Sequence, residues 1–143
     1  MIDMNEDMNG AGIVLNAIAG AAQMKLQTNV IGLLPCAENC VSGNSAKPGD
    51  VVYNYPRNKK RISIQINNTD AEGRVILADA ISYAHEHYNI SKMLTIATLT
   101  GAASFALGKE RCCAFSNDDD LYNEFYELQI AARARKHARL GPA

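Results

Sequence analysis

Tryptophan is absent from this sequence, and proline (4), phenylalanine (3) and cysteine (4) are scarce. No apolar run approaches the roughly 18 residues of a membrane-spanning helix, so no membrane partner is expected. The opening lacks the basic segment of a secretory leader, since Asp3, Glu6 and Asp7 stand there instead. Neither charge sign is in excess, with 14 basic against 15 acidic residues, and this balance gives no reason to expect nucleic acid. No CxxC pair exists: Cys36, Cys40, Cys112 and Cys113 read as buried or free thiols in a reducing, cytoplasmic setting. Internal repeats are missing too.

What remains is a globular composition, 48% apolar over 143 residues, which is one domain's worth of chain or part of a larger domain. After the flexible string Asn9-Gly10-Ala11-Gly12, small and apolar residues from 13 to 22 predict a buried helix packed closely on a sheet. Residues 28–34 form a short apolar run ended by Pro35, the pattern of a buried strand. Residues 36–49 form a loop rich in Asn, Ser and Gly, long enough to suggest function. Pro48-Gly49-Asp50 then turns into a strand over 51–55, whose partner runs over 62–67. Between them Arg57, Lys59, Lys60 and Arg61 read as an exposed hairpin tip, with no aromatic platform for bases nearby.

A helix is expected to end near His87, followed by a strand over 92–98, a small-residue turn and a short helix to Gly108. A strand-like stretch over 112–115 precedes a helix from Asp118 to about Ala134, whose three leading acids favour the helix dipole. His85 and His87 diverge on a helix end and read as ordinary surface residues. The alternation of strand and helix predicts an α/β fold.

The chemistry concentrates in Asn68-Thr69-Asp70-Ala71-Glu72-Gly73-Arg74. Apolar alternation before it (Ile62, Ile64, Ile66) and helical spacing after it place the segment at a strand-to-helix junction, where α/β proteins hold their sites. In a turning backbone Asp70 and Glu72 can approach one point, and a divalent cation relieves their repulsion. Gly73 permits close backbone approach, and Arg74 offers a forked cation for a small anion or a developing oxyanion. The bland alternative is a capping box, with Thr69 as cap and Glu72 three residues on.

Those residues resemble the signature of the leucine aminopeptidase (cytosol aminopeptidase) family of dinuclear-zinc exopeptidases. The resemblance extends over Gly32-Leu33-Leu34-Pro35, Ala37-Glu38-Asn39, Ser42-Gly43-Asn44, Lys47-Pro48-Gly49-Asp50-Val51, Ala97-Thr98-Leu99-Thr100-Gly101-Ala102 and Ala106-Leu107-Gly108. Asp7-Met8 and Gly10-Ala11 resemble the family segment that supplies another metal-binding aspartate. The similarity reaches from the first residues to about 128. It implies residues 1–128 as a partial metalloaminopeptidase catalytic domain and 129–143 as a divergent basic tail. The implied architecture is a layered α/β/α arrangement with a mixed central sheet, part of a larger catalytic domain.

The resemblance implies that Asp70 and Glu72 bind metal, Glu72 bridging two zinc ions, and that Asp7 binds the second. Manganese is a possible substitute. Arg74 would hold the bicarbonate that serves as general base. Met4, Thr98 and Gly101 would line the pocket for the substrate's first side chain, and Leu99 would bond the peptide through its backbone. The implied reaction releases N-terminal amino acids, leucine-type, from peptide substrates, in a homo-oligomer that is hexameric in the family.

Departures matter as well. The family's lysine ligand, bridging aspartate and catalytic lysine have no counterparts, since no lysine precedes Lys25. Asn9 and Gly12 depart from the family pattern, and the 53–60 hairpin carries extra residues. Little or no peptidase activity is therefore expected of this chain alone. A catalytically inactive interaction or regulatory subunit of the same fold is the alternative, and a simple carboxylate metal-binding domain a third. Metal stoichiometry separates the three.

Overall fold

The computed structural model describes residues 4–55 and 61–140, with side chains as far as residue 132. The basic residues Arg57, Lys59 and Lys60 lie outside the described residues. The chain divides into two units, Met1–Thr100 and Gly101–Ala143.

In the first unit a 3₁₀ turn at Met4–Glu6 leads into helix α1, Asn9–Gln23. Helix α1 ends in a left-handed closure. Lys25 takes φ 52°, its N–H donates to the Ala22 carbonyl, and the Leu26 N–H donates to the Ala21 carbonyl. The packed stripe of α1 follows helical spacing: Gly10, Val14 and Ile18 are four residues apart. A Cβ on Gly10 would overlap the Ile96 carbonyl oxygen and lie 2.9 Å from the Ala97 Cα. Val14 and Ile18 lie against Gly32. The rest of the helix is not buried as the sequence predicts: Ile13 is 52% and Leu15 58% exposed, and within α1 only Gly10 is buried. Its opposite face has no sheet laid on it among the described residues.

Strands β1, Val51–Tyr53, and β2, Ser63–Gln65, form an antiparallel hairpin in which Val52 faces Ile64. Backbone bonds extend the ladder past both strands. Ile66 N–H donates to the Asp50 carbonyl at 2.8 Å, Gly49 N–H to the Ile66 carbonyl at 2.7 Å, and Asn54 N–H to the Ile62 carbonyl at 3.1 Å. Gly49, at φ 97°, makes the turn into β1 in a conformation that side-chain-bearing residues avoid. The Asp50 carboxylate receives the Lys47 N–H at 2.8 Å and closes that turn. The end of the long 36–49 loop is thus part of the hairpin.

A 3₁₀ turn at Thr69–Ala71 follows, and helix α2 spans Glu72–His87. The hairpin is pinned to α2 by the Tyr55 N–H, which donates to Asp79 Oδ1 at 2.7 Å. Ile66 and Ala84 are the buried hydrophobic residues of the described chain.

Among the described residues the expected mixed central sheet is not seen. Residues 28–34 and 92–98 belong to no strand, nor do 112–115, so the observed sheet has two antiparallel strands and no mixed layer. Apolar runs signal what a segment can bury, but a strand exists only where a neighbour completes its hydrogen bonds. Val30, Ile31 and Leu94 are instead 51%, 54% and 59% exposed. The helices and the hairpin support an α/β content.

In the second unit, helix α3 spans Ala102–Leu107 and stops at Gly108, which has φ 80°. Helix α4 spans Asp119–Leu140, longer than the sequence pattern suggests. Asp118 caps it as expected of a leading acid: its carboxylate takes the Leu121 N–H at 2.9 Å.

Candidate functional site

Each sequence-predicted residue of the first unit lies on a segment that meets another. Asp7 follows the 3₁₀ turn, and its N–H donates to the Met4 carbonyl at 3.2 Å, so Met4 shapes the entry to α1. Thr98, from the run that fails to become a strand, donates its hydroxyl to Asp7 Oδ1 at 2.8 Å. This bond joins positions ninety-one apart in sequence. Next to it, Leu99 lies against the first turn of α2: a Cβ on Gly73 would stand 2.8 Å from Leu99 Cδ2. Gly73 is therefore the gap that admits Leu99 between Glu72 and Arg74.

Consecutive residues of one segment thus touch the Asp7 region and the Glu72–Arg74 region. The reading of the sequence gave Thr98 a place in a substrate pocket; the structure engages its hydroxyl with a carboxylate. No sequence signal announces that bond, because it depends on segments brought together only in the fold. Gly101 belongs to the second unit, where it is the N-terminal cap residue of α3.

The acidic junction folds differently from a capping box. Asn68, in extended backbone, accepts the Asp70 N–H on its side-chain oxygen at 2.9 Å, and it caps the 3₁₀ turn. Helix α2 itself begins after Ala71 with no side-chain cap, so the Thr69–Glu72 box does not form. Asp70 sits in the turn and Glu72 opens the helix, both exposed, as are Asp7 and Arg74. Neither acid is consumed in capping α2.

Carboxylate oxygens are suitable donors for zinc or manganese. Yet among the described residues no group of three or more His, Cys, Asp or Glu side chains is arranged to hold a metal ion. Asp7, Asp70 and Glu72 therefore do not converge as one set. A zinc ion takes about four ligands, so three carboxylates also fall short of a pair of ions by number. The donors are of the right kind, but this chain's residues do not by themselves fit a two-metal centre. His85 and His87 stand in the last turn of α2, as surface residues would. The four cysteines are free, as expected, but exposed and not buried. No helix among the described residues is long and apolar enough to cross a membrane.

Comparison with known proteins follows the same residues. The family described as "Cytosol aminopeptidase family, catalytic domain" matches residues 1–137, taking in part of the segment the sequence reading set apart as a tail. A probable cytosol aminopeptidase of Chlorobium phaeobacteroides is 44% identical over 132 residues, which is 92% of this chain and 25% of the relative. The cytosol aminopeptidase of Homo sapiens is 48% identical over 127 residues, 89% of this chain and 24% of that protein. That of Bos taurus is 47% identical over the same length. The chain therefore spans about a quarter of the length of the relatives it matches. No solved structure matches it. With the family matching nearly the whole sequence and the junction, Asp7 and Thr98–Leu99 segments meeting in the fold, this chain belongs to the cytosol aminopeptidase family, within its catalytic domain.

Proposed function

We propose that this chain provides part of the catalytic site of a metal-dependent aminopeptidase, which removes N-terminal amino acids of leucine type from peptides. One observation carries this reading. The adjoining residues Thr98 and Leu99 reach Asp7 and Gly73 respectively, so one short segment touches two others that lie far from it in sequence.

Asp7, Asp70 and Glu72 would supply carboxylate oxygens to two divalent ions, zinc or manganese, and further donors must complete the set. Such ions, when bound, polarise a carbonyl and activate water. The three acids are not gathered into a metal-binding group among the described residues. The chain's own residues have definable parts. Thr98 fixes the orientation of the Asp7 carboxylate through its hydroxyl. Arg74, one residue past Gly73, presents a permanent fork for bicarbonate or for a developing oxyanion. Met4 and Thr98 would line the pocket for the peptide's first side chain, and Leu99 would bond the peptide through its backbone. A cytosolic location, in line with the relatives' names, and a hexameric assembly, implied by the family resemblance alone, complete the proposal.

The scattered carboxylates favour a second reading, a non-catalytic subunit of the same fold that acts through its surfaces. Equilibrium dialysis with Zn²⁺ or Mn²⁺ separates the two. Partial catalytic function requires weak binding of about one ion per chain, lost in Asp70→Asn and Glu72→Gln. Absence of binding, or binding indifferent to both substitutions, overturns the aminopeptidase reading and leaves the interaction subunit.

A further inference from the structure

Away from the acidic junction, a recess opens between the hairpin and α2. It is lined by Tyr53, Tyr55, Asp79, Ala80 and Tyr83, and it encloses about 300 Å³. That volume is at the small end for ligand sites. We propose that this recess binds the guanidinium side chain of an arginine-bearing peptide.

Its walls have the chemistry for an organic cation. Tyrosine rings present electron-rich faces, and cations within about 6 Å of a ring centroid are attracted to them. Asp79 adds the recess's acidic charge. One of its oxygens takes the Tyr55 N–H at 2.7 Å, and a carboxylate has further acceptor positions, enough to meet a guanidinium fork. Ala80 is small and leaves the space open.

The platform is fixed in advance. Asp79, Tyr83 and His87 are four residues apart and share one face of α2. The Tyr55 hydroxyl is 2.7 Å from His87 Nε2. Ring centroids stand 5.4 Å apart for Tyr55 and Tyr83, and 4.3 Å apart for Tyr83 and His87. A preset platform lowers the ordering cost of binding.

An independent observation points to the same ligand. The chain's own Arg61 places its guanidinium carbon 5.8 Å from the Tyr53 ring centroid, at one wall of the recess. The hairpin thus already carries the pairing that an incoming arginine would repeat on Tyr55 and Tyr83. None of these residues belongs to the acidic junction, so the proposal stands or falls apart from the peptidase reading.

The test titrates the full chain with N-acetyl-arginine amide and with its neutral isostere, N-acetyl-citrulline amide, followed by tyrosine resonances in NMR. The arginine amide is expected to shift Tyr55 and Tyr83 saturably, and the citrulline amide to bind roughly tenfold more weakly. Asp79→Asn keeps an oxygen for the Tyr55 N–H while removing the charge, and should weaken arginine binding by roughly fivefold or more. Arg61→Gln should leave binding equal or tighter, since it removes a competing cation. Equal binding of citrulline, an unaltered affinity in Asp79→Asn, or loss of binding in Arg61→Gln would each overturn the proposal. If Asp79→Asn does not fold, the two amides on the unaltered chain decide alone.

Discussion

Two stretches of the first unit draw on similar residues and reach different ends. Residues 49–54 and 62–66, the second of them alternating apolar and polar side chains, close a ladder of backbone bonds and contribute the buried Ile66. Residues 93–99 are at least as apolar, yet they join no strand and leave Leu94 and Leu99 exposed. The difference lies in the partner. The hairpin carries its own, a few residues along the chain, at low loop-closure cost. The second stretch needs strands from elsewhere, and no described segment of this chain supplies them. Its anchors are side-on: Gly10 of α1 beneath Ile96, Asp7 on Thr98, and Gly73 beside Leu99.

The largest consequence concerns catalysis. A site bordered by an unladdered segment, with its acids ungathered, should not turn over substrate. Purified chain with Zn²⁺ or Mn²⁺ is expected to release leucine from a leucyl amide at the uncatalysed background. Competent enzymes stand at least roughly 10⁶-fold above that level. Sustained, metal-dependent release would break the contrast between the two stretches.

Self-association comes next. Exposed apolar runs with unpaired backbone invite pairing with a second copy. Light scattering should therefore find masses above that of one chain, and Val30→Lys with Leu94→Lys should shift the population toward the monomer. A clean monomer of the unaltered chain would contradict this.

Two glycines of one helix sharpen the comparison further. Gly10→Ala places a methyl into backbone atoms of residues 96 and 97, which cannot rotate away, and should cost about 2 kcal/mol or more. Gly12→Ala has nothing within 4 Å and should be neutral or stabilising by up to about 1 kcal/mol. Urea denaturation of both variants measures the gap; equal midpoints would show that the 93–99 segment is not held at Gly10. Thr98→Val should cost less than Gly10→Ala. It removes one exposed hydrogen bond, worth about 1 kcal/mol, and should speed hydrogen exchange at Asp7 while leaving the amides of the hairpin unchanged.

These contrasts also mark how far the sequence could be read. Helices α1 to α4 and the hairpin follow from local pattern, because spacing, turn residues and the Asp118 cap act within a few residues. The mixed sheet was not legible, since an apolar run at 92–98 or 28–34 says nothing about who sits alongside. At the junction, the pattern offered Thr69 as the cap, and Asn68 caps the turn one position earlier. The Thr98–Asp7 bond and the Asp79–Tyr55 tie join residues 91 and 24 positions apart, beyond the reach of any local rule.

Because Thr98 and Leu99 are neighbours on the chain, a single peptide unit gauges the spacing between two motifs. Its length is fixed by covalent geometry, with consecutive Cα atoms about 3.8 Å apart. Inserting or deleting one residue there would throw both motifs out of step together. Deep mutational scans should accordingly find this position intolerant of length changes, even where substitutions at the same two residues are accepted.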